Sequence, residues 1–261
     1  MPYLTLSSKQ LYYESLRVVK PVSDKIILVF LHEALGSIGQ WRYFPTLLCN
    51  ELQLNGLVYE REGHGKSSDF TDVRTNTYLH DYALEELPQI IENLISIDQK
   101  VILIGHSDGG SIAFLFAAKY PKKVVATITI AAHVINEPET IAGIQPAIEA
   151  YKEGKLEGLK KFHGHKTEAL FFSWANTWNS ADFKDWNICA DLVGIASPLL
   201  SIQGSSDQYG TMKQLKLIEE FVPRNVKTKM MDACGHHPHL EQMDKVIGEI
   251  KGFLKENEVL L

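Results

Sequence analysis

The chain has 261 residues, of which 45% are hydrophobic and 22% charged, and its formal net charge is −6 at pH 7. This length suits a single α/β domain with a full core, and the composition is ordinary for a soluble globular protein. The negative charge, without any Lys/Arg cluster, argues against nucleic acid as a partner, and no apolar run approaches the roughly 20 residues of a membrane span.

Eight segments have the pattern of β-strands. The first two alternate apolar and polar residues, and most of the others are the apolar runs typical of strands buried on both faces of a parallel sheet. In chain order the predicted strands are Tyr3–Leu6, Lys9–Val19, Lys25–Leu31, Gly56–Tyr59, Lys100–Ile104, Val124–Ala131, Pro198–Gly204 and Lys227–Met231.

Helical patterns lie between these strands. They are predicted at Gly39–Asn50, Thr77–Ile97, Ser111–Lys119, Tyr209–Val222 and Glu241–Asn257. Strands that alternate with helices predict an α/β fold with a mostly parallel, doubly wound sheet.

Residues 136–192 interrupt the alternation with helical patterns only, such as Thr140–Lys152 and Lys166–Trp178. The segment lies between two predicted strands and carries three of the four tryptophans, including Trp174 and Trp178. We interpret it as a helical lid over an apolar pocket, with residues 1–135 and 193–261 as the core domain. Trp174 and Trp178 are then expected to contact a ligand; the alternative is that these rings only pack the insertion onto the core.

The cysteines and the amino terminus bear on the cellular compartment. Cys49, Cys189 and Cys234 are odd in number and far apart, which fits reduced thiols better than a disulfide framework. The first residues lack the basic start and long apolar run of a signal peptide. We therefore expect a cytoplasmic protein.

The strongest chemical signal is the segment Val101–Gly110, a buried strand that runs into Gly-His-Ser-Asp-Gly and then an apolar helix. Glycines two positions to either side of Ser107 permit a turn so tight that the serine oxygen stands clear of the backbone. The N-terminus of the following helix favours developing negative charge. This pattern predicts that Ser107 is a nucleophile, and a plain glycine turn is the alternative.

A nucleophilic serine needs a base, and the base needs an orienting carboxylate. Asp207 follows a late strand that ends in Gly204, and His236 comes directly after Gly235, just past the last strand. We therefore predict a catalytic triad of Ser107, Asp207 and His236. His237 and His239 share the loop with His236 and are the alternative bases.

Two backbone N–H groups are expected to stabilise the oxyanion. One belongs to Asp108, directly after the nucleophile, and the other to Ala34 in the loop after the third strand, with Leu35 as second choice. Leu35 is also expected to contact the substrate.

Histidines also raise the question of a metal. A zinc site needs at least three ligands, and the clustered pairs His236/His239 and His163/His165 do not supply them together. No metal and no cofactor is therefore expected. The remaining histidines are expected to be hydrogen-bonded structural residues: His32, His64, His80, His106 and His133.

These motifs together resemble the α/β-hydrolase superfamily over nearly the whole chain. The resemblance is carried by His32–Ser37, Gly63–Ser67, Gly105–Gly110, Gly204–Asp207 and Gly235–His236. Within the superfamily the chain is similar to the valacyclovir hydrolase-like α-amino-acid ester hydrolases, which share Ser-Asp-Gly-Gly, Leu-Gly-Ser, a helical insertion and His-x-x-His-Leu. The resemblance implies that Asp108 selects substrates with an α-ammonium group.

The chain departs from the superfamily pattern in two places. Glu33 replaces a glycine that often follows the histidine of the loop after the third strand, and it adds a side chain beside the pocket. The usual Asp-x-Arg-Gly-x-Gly-x-Ser is here Glu-Arg-Glu-Gly-His-Gly-Lys-Ser, residues 60–67. Asp108 has an alternative role, since the helix dipole alone favours an acid in a first turn.

The sequence therefore predicts a serine hydrolase that cleaves small esters or related acyl bonds through an acyl-enzyme. Two alternatives stay open. One is hydrolysis of a carbon–carbon bond in a β-diketone-type substrate with the same triad, and the other is a small-molecule receptor on the same fold.

Overall fold

The computed structural model describes residues 2–70 and 74–260. Its sheet has eight strands in the order β1-β2-β4-β3-β5-β6-β7-β8; β1 and β2 pair antiparallel, β2 pairs antiparallel with β4, and the other neighbours are parallel. The strands are β1 Tyr3–Leu6, β2 Lys9–Leu16, β3 Ile26–Leu31, β4 Gly56–Tyr59, β5 Lys100–His106, β6 Val124–Ile130, β7 Leu199–Gly204 and β8 Val226–Met231. The predicted α/β fold with a mostly parallel sheet is confirmed.

Helices connect the strands. The α-helices are α1 Phe44–Leu52, α2 Tyr78–Asp81, α3 Leu87–Leu94, α4 Asp108–Lys119, α5 Pro138–Lys152, α6 Lys160–His163, α7 Thr167–Trp178, α8 Met212–Phe221, α9 Pro238–Glu241 and α10 Met243–Glu256. A π-helical turn, Tyr82–Glu86, joins α2 to α3, and 3-10 turns span Ile38–Trp41, Glu157–Leu159, Gly164–Lys166, Ala181–Phe183 and Asp191–Gly194. Within the two described ranges, no helix is both long enough and apolar enough to cross a bilayer.

The sheet is buried on both faces because its central strands are mostly apolar, as β3 shows with the sequence Ile-Ile-Leu-Val-Phe-Leu. In β3, Val29 belongs to the core on one face, while Leu28 and Phe30 belong to the core on the other, as the two-residue period of a strand requires. The first core also contains residues of α3, α4 and α8, and the second contains residues of α1 and α10. Helices therefore cover both faces, as expected of a doubly wound sheet.

The insertion between β6 and β7 contains α5, α6 and α7 and is anchored to the core by buried polar groups. At its start, Glu137 accepts hydrogen bonds from the N–H and hydroxyl of Thr211 and from Gln214 Nε2, at 2.7–3.0 Å. In its middle, His163 accepts from Gly65 N (3.0 Å), and the buried Lys166 ammonium donates to the Ser67 carbonyl. These contacts fix the insertion over the carboxyl ends of the strands.

Several predicted elements differ from the observed ones in their bounds or are divided, and three of these differences have a clear physical reason. Strand β2 stops at Leu16 rather than Val19, because Leu16 pairs with Gly56, where its partner β4 begins. The helix predicted over Gly39–Asn50 is divided, because the backbone adopts a positive φ of 53° at Arg42. Helix α4 begins at Asp108 rather than Ser111, since two glycines inside its first turn hide the helical pattern.

The turn between β5 and α4 depends on glycines that bring backbones into contact. A Cβ at Gly105 would lie 2.2 Å from the carbonyl oxygen of Gly109, and a Cβ at Gly109 would lie 1.9 Å from that of Leu31. Both distances are far below van der Waals contact, and the opposing atoms are main-chain atoms that cannot rotate away. Only glycine fits at these two positions.

We expect Gly109→Ala to destabilise the protein at the upper end of the roughly 1–3 kcal/mol that overpacking costs. The matched control is Gly248→Ala in α10, where the added Cβ meets nothing within 4 Å. It should stabilise by roughly 0.5–1 kcal/mol, because alanine is the better helix former. Urea unfolding of the two variants beside the wild type measures both effects, and equal effects would contradict the steric argument.

Candidate active site

The residues of the predicted triad lie at the carboxyl ends of three parallel strands. Ser107 follows β5, Asp207 follows β7 and His236 follows β8. Ligands of open α/β sheets bind outside this edge, because the loops there converge from neighbouring strands. The structure therefore brings together side chains that are up to 129 residues apart in the chain, as Ser107 and His236 are.

Ser107 has a strained backbone, with φ 52° and ψ −118° between β5 and α4. A positive φ is costly for a residue with a side chain and persists only where the surrounding structure enforces it. Here the contacts of the glycines at positions 105 and 109 enforce it. The serine is only 6% exposed, and the exposed part faces a cavity rather than bulk solvent.

Asp207 and His236 form a buried, hydrogen-bonded pair. His236 Nδ1 donates to Asp207 Oδ2 at 2.7 Å, and the same oxygen accepts from Gln203 Nε2 at 2.6 Å. The other oxygen, Oδ1, accepts from Tyr209 N at 2.8 Å. Three donors therefore fix the carboxylate, and the carboxylate fixes the imidazole ring.

These contacts shift both pKa values. Burial alone lowers the pKa of His236, but the carboxylates of Asp207, Glu33 and Asp108, with Asp207 the largest of the three, together outweigh burial and raise it above the ordinary 6.5. Burial alone raises the pKa of Asp207, but His236 and the Tyr209 N–H hold it below the ordinary 3.8. Asp207 therefore stays ionised, and His236 is a stronger base than a free histidine.

The neighbouring histidines have other contacts. His106 Nε2 donates to the carbonyl oxygen of His236 at 2.8 Å, which holds the loop of His236 against the end of β5. Burial lowers the pKa of His237 to about 4, so its ring is neutral at pH 7. His239 packs against Trp41, with ring centroids 4.9 Å apart. Of the three histidines in this loop, His236 is the one that contacts Asp207.

The expected structural role of the remaining histidines is borne out at four positions. His32, His64, His106 and His133 are buried and have hydrogen-bond partners on main-chain atoms. His80 differs: within the described residues, its buried Nδ1 has no partner.

The N–H groups of Ala34 and Leu35, in the loop after β3, differ in their partners. Leu35 N donates to Glu33 Oε2 at 2.9 Å and is therefore occupied, and the Ala34 carbonyl lies 3.0 Å from His64 Nε2. Among residues 2–70 and 74–260, no acceptor is found for the N–H of Ala34 or of Asp108. These are the two groups that the sequence singled out as oxyanion donors.

A cavity of about 420 Å³, here called the serine cavity, contains most of the predicted site residues. Its wall includes Ser107, His236, Ala34, Asp108, Leu35, Trp174 and Trp178. Asp207 lies behind His236. Much of the remaining wall is apolar and comes from α5, α7 and the turn between them, while Glu33, Gln40, His133, Gln208, Tyr209 and His237 complete it. The role of the insertion as a lid stays a prediction.

The Asp108 carboxylate takes part in a buried network. Its Oδ2 accepts from the Tyr78 hydroxyl at 2.7 Å, and that hydroxyl accepts from Trp178 Nε1 at 2.8 Å. Asp108 is 1% exposed, so the network links the first turn of α4 to α2 and to the insertion in a dry environment. An ammonium contact by Asp108 stays a prediction.

A second cavity of about 470 Å³, here called the adjoining cavity, is lined by His32, Ser37, Arg42, Phe162, His239 and Glu241, among others. Glu33, Gln40 and His237 line both cavities and stand where the two meet. Burial raises the pKa of Glu33 above the ordinary 4.5, while the Leu35 N–H and His236 act in the opposite direction. The site thus has an apolar compartment at the serine and a more polar one beside it.

Two functional contacts had no signal in the sequence that could have identified them. Gln203, the next-to-last residue of β7, donates to Asp207, but a glutamine inside an apolar strand does not by itself indicate which residue it contacts. Tyr78 contacts Asp108 across 30 residues and Trp178 across 100 residues, distances at which single-sequence patterns carry no information.

Comparison with known proteins identifies the family of the chain. The model of a family described as the alpha/beta hydrolase family matches residues 28–249. The chain is 28% identical to the biotin biosynthesis bifunctional protein BioHC of Teredinibacter turnerae, over 90% of this chain and 46% of that protein. It is 23% identical to a putative esterase/lipase of Haemophilus influenzae, over 98% of this chain and 92% of that protein.

Solved structures share the fold. The enol-lactonase from Burkholderia xenovorans superposes with a TM-score of 0.76 at 14% identity, over 97% of this chain and all of that one. A carboxylesterase structure from Nitrososphaera gargenis superposes with a TM-score of 0.73 at 22% identity, over the full length of both chains.

The network at Asp108 can be tested through stability. Tyr78→Phe removes the hydroxyl that pairs two buried groups, so we expect it to destabilise the protein by roughly 1–3 kcal/mol, the cost of unpaired buried polar groups. Tyr151→Phe is the control, because the ring of Tyr151 stacks on that of Phe171 with ring centroids 4.2 Å apart, and phenylalanine keeps that stacking. Urea unfolding should show little change for the control, and equal losses would mean that the hydroxyl of Tyr78 has no special role.

Proposed function

The chain belongs to the α/β-hydrolase family, and on that premise we propose that it is a serine hydrolase that cleaves small esters or related acyl bonds through an acyl-enzyme. The observation that carries the proposal is the pairing of His236 with Asp207 at 2.7 Å beside a cavity that contains Ser107. Hydrolytic activity itself is supported by the esterase and lipase relatives.

In the acylation step, Ser107 Oγ attacks the carbonyl carbon of the substrate while His236 Nε2 takes the serine proton. The carbonyl oxygen becomes an oxyanion that accepts from the N–H groups of Ala34 and Asp108, which have no competing acceptor in the described residues. Asp207 stays ionised and stabilises the imidazolium. The tetrahedral intermediate then expels the leaving group, which receives its proton from His236.

In the deacylation step, His236 takes a proton from water as the water oxygen attacks the acyl carbon. The second tetrahedral intermediate uses the same two N–H groups. Its collapse returns the proton to Ser107 and releases the acid. The dry, apolar wall of the serine cavity strengthens each of these electrostatic interactions, because little water screens them.

The wall of the serine cavity limits the size of the acyl group. Leu35, Trp174 and Trp178 are the proposed apolar contacts, and a volume of about 420 Å³ suits a small or medium-sized acyl group. Asp108 is proposed to contribute its N–H. Selection of an α-ammonium group by its carboxylate, and with it membership of the α-amino-acid ester subgroup, stays a prediction.

We expect a fluorophosphonate to label the wild-type protein once, on the peptide that contains Gly105–Gly110. Ser107→Ala should lose both the label and the hydrolysis of p-nitrophenyl butyrate, because the attacking oxygen is gone. Ser111→Ala is the matched control, since Ser111 lies in α4, donates its hydroxyl to the carbonyl of His133 and does not line the serine cavity. Labelling of folded protein at any other residue would exclude this mechanism, and no labelling at all would favour the receptor alternative.

The raised pKa of His236 predicts the pH dependence. Only the neutral ring accepts the serine proton, so kcat/KM should fall on the acid side at a pKa above the ordinary 6.5. Asp207→Asn removes the charge that raises this pKa, so the acid limb should move to lower pH while kcat falls by orders of magnitude. Asp232→Asn, the same change at an exposed position four residues before His236, should leave the profile in place. An acid limb that Asp207→Asn does not move would contradict the pairing.

A further inference from the structure

The Glu33 carboxylate stands at the junction of the serine cavity and the adjoining cavity. Its Oε2 accepts from Leu35 N at 2.9 Å. Among the residues that the structure describes, its Oε1 has no hydrogen-bond partner, and no Lys, Arg or His forms an ion pair with the carboxylate within 4.0 Å. One oxygen of a half-buried carboxylate is thus left to face a ligand.

The other charged groups nearby are engaged elsewhere. Arg61 is buried, and its guanidinium donates to the carbonyl oxygens of His32 and Glu33, not to the Glu33 carboxylate. The Asp108 carboxylate is bonded to Tyr78, and Glu241 accepts from the N–H groups of Gly235 and His237.

Arg42 also lines the adjoining cavity, but it is exposed, and water and salt screen an exposed charge strongly. Of these charged groups, Glu33 is therefore the one that lines both cavities and has an oxygen without a partner among the described residues.

The proposed chemistry puts the leaving group at this junction. His236 returns its proton to the leaving-group oxygen, so that oxygen must lie beside the His236 ring. The next residue, His237, together with Glu33 and Gln40, lines the passage from the serine cavity to the adjoining cavity. An apolar acyl group fits the compartment walled by the insertion, and the leaving group then extends past Glu33 into the more polar compartment.

We infer that Glu33 is a specificity-determining residue that favours substrates whose leaving group carries a positive charge, such as esters of amino alcohols or choline. This inference rests on the proposed hydrolase function. A cation beside the unpaired oxygen gains a strong attraction where water is partly excluded, and an anionic leaving group is repelled there for the same reason. The preference concerns the alcohol side of the ester and is independent of any ammonium group on the acyl side.

The test compares two esters that differ only in charge, butyrylcholine and its neutral isostere 3,3-dimethylbutyl butyrate. The wild type should show a higher kcat/KM for the charged ester by about tenfold, the factor of a moderate electrostatic contact, and Glu33→Gln should remove most of that preference. Glu168→Gln is the matched control, because Glu168 is an exposed glutamate of α7 that lines neither cavity. It should keep the wild-type ratio.

The outcomes distinguish failure of the role assigned to Glu33 from failure of the proposed hydrolase function. A wild-type ratio near one overturns the role of Glu33 and needs no variant, so it decides the matter even if Glu33→Gln does not fold. An unchanged ratio in a folded Glu33→Gln protein overturns it equally. A protein that is not labelled at Ser107 and cleaves neither ester overturns the hydrolase proposal, and the assignment of Glu33 with it.

Discussion

The arrangement of the site depends on the contact between three pieces of main chain at the end of β5. Because Gly105 and Gly109 lack a Cβ, the first turn of α4 lies against the last residue of β3, and the loop that follows β3 starts beside the serine. Two N–H groups from separate parts of the chain, Ala34 and Asp108, are thereby brought to the same cavity. A methyl group at either glycine would separate them.

The sequence predicted the parts of this structure that depend on local periodicity and on chain order. The apolar runs of β3 and β5 identify central strands. The positions of Asp207 and His236 after late strands predict that the two side chains lie close together, since parallel strands end at one edge. The family resemblance, which rests on motifs at the ends of these strands, predicted the fold correctly. Their hydrogen bond adds a geometry that the motif alone could not supply.

Contacts between distant residues and changes of backbone direction could not be predicted. The final helix was expected over Glu241–Asn257, yet the chain forms α9 first and changes direction at Gln242, where φ is −134° and ψ is 48°. Glu33 was recognised as an unusual side chain beside the pocket, but its place between two cavities requires three-dimensional coordinates. Single-residue turns and side-chain orientations depend on tertiary packing, which leaves no periodic trace in a sequence.

The buried contacts that anchor the insertion affect how a ligand can enter and leave the serine cavity. Swinging the insertion away from the sheet would strip the Glu137 carboxylate of three donors and the Lys166 ammonium of its carbonyl partner, and would expose apolar surface at the same time. Such an opening costs free energy, because it breaks these hydrogen bonds, and it is therefore an unfavourable route for ligand exchange. The adjoining cavity shares Glu33, Gln40 and His237 with the serine cavity, and a ligand that enters through it leaves the buried contacts of Glu137 and Lys166 intact.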